Sequence, residues 1–249
     1  KLLAYNTKKF GETGKFTREW MNSLALLYQM NGQYNKSFEI GERLYNIYVK
    51  IYGKNDDTTM TAAGNLGSYY HTIGNYRKAI RYGEEVYKYH IVHSGDEAPA
   101  TLYAINNLAI YYHSIGDLDK AIEYGEKAYT SRLKVLGEKN NQVLTSLGNL
   151  ASYYDSKGDY NKAIELCEKA YENTCDILGE NHPDTLLLLS NLASYYGAKG
   201  DYNKAIMLCE KAYKARFDVL GEMHPSTLTS VNNLSSYYYN AGDFKKSTA

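Results

Sequence analysis

The sequence repeats itself with a period of 42 residues and never slips register. Gly32, Gly74, Gly116, Gly158, Gly200 and Gly242 stand 42 residues apart, as do Tyr28, Tyr70, Tyr112, Tyr154, Tyr196 and Tyr238. The same step links Gly11, Gly53, Gly95, Gly137, Gly179 and Gly221. Residues 149–180 and 191–222 are near copies of one another. A period held through about six registers without an insertion is the mark of a stacked array. Each unit buries its apolar face only against its neighbours, so any change of length breaks the stacking.

One period reads as two helices. Residues 183–199 open with Pro183, at a first-turn position where the missing N–H costs nothing, and stop at Gly200. Asp201 is placed to cap the next helix, and Asp117, Asp159 and Asp243 occupy the same slot. That second helix runs to about Leu220 and ends at Gly221. Two helices joined by so short a turn form an antiparallel hairpin, so the predicted fold class is all-α, a solenoid of about six hairpins. Residues 1–249 read as a single array truncated in mid-repeat at both ends: residues 1–10 match the tail of a second helix, and residues 243–249 only the start of one.

Composition narrows the partners. The 28 basic and 28 acidic side chains balance, which argues against a nucleic-acid or anionic-membrane partner held by bulk charge. Uninterrupted aliphatic runs such as residues 186–189 are far short of a membrane span. Cys167, Cys175 and Cys209 are odd in number and lack C-x-x-C spacing, which points to buried free thiols, a reducing compartment and a cytoplasmic location.

Leu66, Gly67, Tyr70, Ala79 and Val86 recur with the spacing of Leu150, Ala151, Tyr154, Ala163 and Ala170. This pattern resembles the tetratricopeptide repeat. The 42-residue period, the "LGE-x-HP" connector at residues 178–183 and 220–225 and the "NNLA" at residues 106–109 are similar to the kinesin light chain subtype. The resemblance covers essentially the whole chain. It implies a right-handed superhelix, a protein-interaction scaffold rather than an enzyme, and a concave groove lined by one face of each first helix.

Helical spacing places the remaining columns. Opposite the apolar stripe of the first helix lies a column reading Ser23, Asn65, Asn107, Asn149, Asn191 and Asn233, beside one reading Leu26, Ser68, Ile110, Ser152, Ser194 and Ser236. An amide that both donates and accepts suits the repeating N–H and C=O groups of an extended peptide. In the kinesin light chain family, asparagines at this position contact cargo peptides, and the resemblance carries that role to Asn65, Asn107, Asn149, Asn191 and Asn233. The alternative is that these amides bond the protein itself and order the array. The groove columns hold no Lys or Arg, unlike the basic grooves of relatives that take acidic peptides. The expected ligand is therefore a protein or peptide segment, uncharged or mildly apolar, with Tyr103, Ile110 and Leu187 as apolar anchors and Ser152 and Ser194 beside them.

Other columns read as architecture. Tyr69, Tyr111, Tyr153, Tyr195 and Tyr237 are expected to pack between repeats. Gly41, Gly83 and Gly125 share a mid-helix column with Cys167 and Cys209, which implies a close helix approach. The Lys36 and Glu42 columns, each repeating every 42 residues, read as a solvated outer face. No phosphate loop, nucleophile elbow or H-E-x-x-H is present, so neither cofactor nor metal is expected. His90 and His93 are suited to a divalent ion only weakly, and histidine at a helix end is favoured by the dipole in any case. Two other readings stay open: a structural module that self-associates end to end, and the sensor arm of a larger signalling protein.

Overall fold

The computed structural model describes residues 2–247, and among these it is all-helical, with thirteen helices and no strand. It divides into two compact units, Lys1–Tyr124 and Gly125–Ala249. The first holds α1 (Leu2–Phe10), α2 (Lys15–Met30), α3 (Tyr34–Tyr52), α4 (Asp57–Thr72), α5 (Tyr76–His93), α6 (Pro99–Ser114) and the start of α7 (Leu118–Leu136). The second holds the rest of α7, then α8 (Asn141–Lys157), α9 (Tyr160–Leu178), α10 (Pro183–Lys199), α11 (Tyr202–Leu220), α12 (Pro225–Asn240) and α13 (Phe244–Ser247). From α1 to α6, and again from α8 to α13, each helix packs on the one before it. The expected hairpins are therefore present in both units.

Two residues suffice for the tight turn within a hairpin. Gly200 takes a left-handed conformation (φ 91°), which places the Asp201 N–H 2.9 Å from the Tyr196 carbonyl and closes α10. The Asp201 carboxylate then accepts from the Lys204 N–H at 3.2 Å and opens α11. Gly158 and Asp159 do the same between α8 and α9. The longer connector has a fastener that the sequence reading missed. Thr185, fully buried in the first turn of α10, donates to the carbonyl of Gly179 at 2.8 Å, and Thr17 and Thr101 reach Gly11 and Gly95 in the same way.

Each unit has its own core. In the first, Met60, Ala63, Leu66, Tyr70, Ala79 and Val86 form one buried cluster. In the second, Leu186, Leu189 and Ala212 are buried together. Each such leucine contributes about 1.5–3 kcal/mol by leaving water. The mid-helix glycines mark close approaches: a Cβ on Gly83 would lie 2.9 Å from Leu108 Cδ2 and 3.3 Å from the Tyr111 ring. The packing of that tyrosine column between repeats follows from these contacts.

The outer columns are bonded as well as solvated. Tyr112 Oη donates to Glu84 at 2.6 Å, Tyr154 to Glu126 at 2.6 Å, Tyr196 to Glu168 at 2.8 Å and Tyr238 to Glu210 at 2.5 Å. Tyr70 and Glu42 form the same pair. A lysine covers several of the rings, with Lys204 Nζ 4.7 Å from the Tyr196 centroid and Lys120 Nζ 4.7 Å from that of Tyr112. In one repeat Lys162 instead pairs with Glu165 at 2.8 Å. The lysine and glutamate columns thus clasp a tyrosine between consecutive hairpins.

Candidate functional site

The asparagine column keeps to the first helices, on the side away from the core stripe. In the first unit Asn65 is exposed on α4 and Asn107 half-buried on α6. In the second, Asn149, Asn191 and Asn233 are half-buried on α8, α10 and α12. Among the described residues, none of these five side chains has a hydrogen-bond partner in the protein. The neighbouring serines differ. Ser68 Oγ lies 3.2 Å from the Tyr111 hydroxyl of the next repeat. Ser152 and Ser194 meet the hydroxyls of Tyr195 and Tyr237 in the same way, against the upward push that burial gives those phenols.

Each unit contains a cleft built from these columns. In the first, a cavity of about 530 Å³ is lined by residues of α2, α3 and α4, among them Leu26, Leu44, Tyr48, Thr61, Asn65 and Tyr69. In the second, about 390 Å³ opens between α8 and α10 over α9. Its lining includes Leu144, Thr174, Leu178, Leu187 and Leu188 together with Asn149, Ser152 and Asn191. The clefts are the same place in different repeats: Tyr48 and Thr174, Thr61 and Leu187, and Asn65 and Asn191 are each separated by 126 residues, three periods of 42. Four of the site residues expected from sequence, Asn149, Asn191, Ser152 and Leu187, therefore line one cleft, and Asn65 lines the other. Asn107, Tyr103, Ile110, Ser194 and Asn233 line neither. Tyr103 is nonetheless 53 % exposed on α6, whereas Ile110 is packed against the core cluster.

The charge near these clefts is sparse and negative. Asp57 lines the first and Asp184 the second, with no Lys or Arg in either. Burial lowers the pKa of His71 and His113, which keeps both neutral near pH 7. His71 Nε2 lies 2.8 Å from Ser114 Oγ, with its ring 5.2 Å from that of Tyr111. His90 is buried, and His93 stacks on Tyr89 with its Nδ1 2.8 Å from the Tyr89 carbonyl. Among the described residues no group of three His, Cys, Asp or Glu is placed to hold a metal, and no helix is long and apolar enough to cross a membrane.

Family comparison agrees with this architecture. The tetratricopeptide repeat model matches residues 16–90, 97–176, 142–216 and 184–248. The chain belongs to the tetratricopeptide repeat family. Its structural neighbours include a kinesin light chain-like protein of Podosopora anserina with nearly identical repeats, 25 % identical, with a TM-score of 0.73 over 81 % of this chain and 96 % of that one. The tetratricopeptide sensor of a signal transduction ATPase from Pyrococcus horikoshii is 19 % identical with a TM-score of 0.73; there the match covers 99 % of this chain but 36 % of that one. A Rap protein complexed with Competence and Sporulation Factor is 10 % identical, with a TM-score of 0.62 over 90 % of this chain and 70 % of that one. The last two likenesses speak for the fold alone. No curated protein sequence matches the chain.

Proposed function

We propose that this repeat array is a protein-interaction module that holds an extended peptide segment of its partner against the first helices. The observation that carries the reading is the pair Asn149 and Asn191: two amides without protein partners among the described residues, lining a cleft together with Leu144, Leu178, Leu187 and Leu188. Neither amide is a buried unsatisfied group, so both are open to solvent in the free protein, and a peptide backbone can supply a donor and an acceptor in place of water. Asn65, Asn107 and Asn233 extend the same chemistry along the column, and the exposed Tyr103 and Leu187 offer apolar contact. With no Lys or Arg lining either cleft, the module suits neutral and apolar segments better than acidic ones. Family membership supports the broad reading, since tetratricopeptide repeats are protein-interaction modules; the groove and its residues are our assignment.

The test is a random-peptide display selection on the purified protein, with an Asn107→Ala/Asn149→Ala/Asn191→Ala variant as counter-screen. We expect a shared motif enriched on the wild type and lost on a variant that keeps its helicity. Failure to enrich any peptide on well-folded wild-type protein would overturn the reading.

A further inference from the structure

One column on the second helices differs between the α8–α10 cleft and the repeats that flank it. It reads Tyr48, His90, Arg132, Thr174 and Arg216, and the residue 14 positions later reads Ala62, Ala104, Ser146, Leu188 and Ser230. The two columns change together. Arg132 is buried, and its Nη1 donates to Ser146 Oγ at 2.6 Å and to the Gln142 carbonyl at 3.2 Å. Arg216 is equally buried; Nη1 donates to Ser230 Oγ at 2.7 Å, and Nη2 to the Leu186 carbonyl at 3.0 Å. A guanidinium in the interior needs such acceptors, and Arg216 reaches from α10 to α12 through the Leu186 carbonyl and Ser230. In the repeat between them the arginine is Thr174 and the serine is Leu188. Both changes remove polarity, and the cleft of about 390 Å³ lies here. Gly148 lines it, and a Cβ there would stand in ordinary contact, 3.6 Å from Leu188 Cδ2.

A second feature lies next to it. Asp155 is on α8 three residues after Ser152 and seven after Gly148, hence on the same side of the helix and one turn beyond the residues that line the cleft. Its carboxylate is half-buried and, among the described residues, has no hydrogen-bond or ion-pair partner. It lies near enough to Tyr195 to oppose ionisation of that phenol. Burial raises the Asp155 pKa, the cost of desolvating an anion with no cation beside it.

We propose that the α8–α10 cleft selects one aliphatic side chain of the bound peptide, two positions from a lysine or arginine that meets Asp155. The inference rests on the peptide-binding reading above and adds the ligand's side-chain chemistry. The charge complement of an apolar cleft with an unpaired carboxylate one helical turn beyond it is an aliphatic–basic pair. Along an extended peptide, neighbouring side chains point to opposite faces, so an anchor and a base that face the same groove stand two positions apart.

The test uses a phage-displayed random dodecapeptide library on three proteins: wild type, Thr174→Arg/Leu188→Ser and Asp155→Asn. The double substitution installs the arginine–serine pair already present in the flanking repeats. We expect wild type to enrich an aliphatic residue two positions from Lys or Arg. The double variant should lose the aliphatic preference, with at least tenfold weaker binding of the winning peptide, and Asp155→Asn should lose the preference for the base. A wild-type motif lacking that pair, yet lost when Asn149 and Asn191 become Ala, would leave groove binding standing and overturn this inference. Absence of any motif would overturn both. Should the double variant fail to fold, the wild-type motif and Asp155→Asn still decide.

Discussion

The hydroxyl of Tyr196 donates a 2.8 Å hydrogen bond to Glu168, 28 residues earlier and one repeat back along the chain. The same span joins Tyr112 to Glu84, Tyr154 to Glu126 and Tyr238 to Glu210. In an array whose hairpins touch only their neighbours, such a rung ties one repeat to the next at the surface, where apolar packing is thinnest.

Tyr196→Phe keeps the ring and removes the rung. Glu168 is solvent-exposed, so screening limits the bond to about 1 kcal/mol. The thermal midpoint should fall by roughly 2–4 °C, the shift that 1 kcal/mol makes in a domain of this size. Calorimetry on Tyr196→Phe, Glu168→Gln and the double variant checks it. Strictly additive losses would show that the two residues are uncoupled.

Alkaline pH should weaken the same rungs. The Tyr154 phenol is pushed up to about 12, first by its bond to Glu126; Tyr238 reaches about 12 through Glu210, and Tyr196 about 12 through burial and then Glu168. An unfolded tyrosine titrates near 10. Because the folded values are raised, the contribution is fully present below pH ~10 and is lost as pH rises toward ~12. Phenolate absorbance of the native protein should therefore lag that of the unfolded chain, and denaturation midpoints should decline across that window. Coincident titrations would contradict the rungs.

Glycine-to-alanine changes should split by column. At Gly148 the new Cβ stands 3.6 Å from its nearest neighbour, an ordinary contact. The gain in helix propensity of about 1 kcal/mol should then appear as unchanged or higher stability. At Gly83 the new Cβ would meet the fully buried Leu108 at 2.9 Å. Overpacking of about 1–3 kcal/mol should exceed the propensity gain. Urea denaturation of the two variants gives opposite signs if this holds.

The thiols should differ in reactivity. Burial pushes Cys167 up to about 12 and Cys209 to about 11, and both sulfurs lie inside the helix stack. Cys175 is only half-buried. A thiol reagent at pH ~8 should modify Cys175 in the native protein and reach the other two only on unfolding. Rapid native modification of all three would contradict the packing.

The period made the local structure legible in the sequence. Pro183 and Gly200 bracket α10 as expected, and Asp201 caps α11 because a short carboxylate after a left-handed glycine has few other uses. Which columns touch was harder to read. Tyr196 and Glu168 sit on different helices, and periodicity gives each a direction without giving the partner. The Thr185–Gly179 fastener escaped for the same reason, since a threonine in a first turn reads simply as a helix residue. The clefts were hidden more deeply. The α8–α10 cleft lies where Thr174 and Leu188 stand in place of the arginine–serine pairs Arg132–Ser146 and Arg216–Ser230, a difference that means little until those pairs are seen bonded.

The most direct measurement is a calorimetric titration of a display-selected peptide into wild-type protein and into Asn149→Ala/Asn191→Ala. Two amide contacts at about 0.5–1.5 kcal/mol each predict a dissociation constant raised about tenfold or more, with the thermal midpoint within a few degrees of wild type. Equal affinity in the two proteins would place the peptide away from these asparagines and contradict the assignment of the groove.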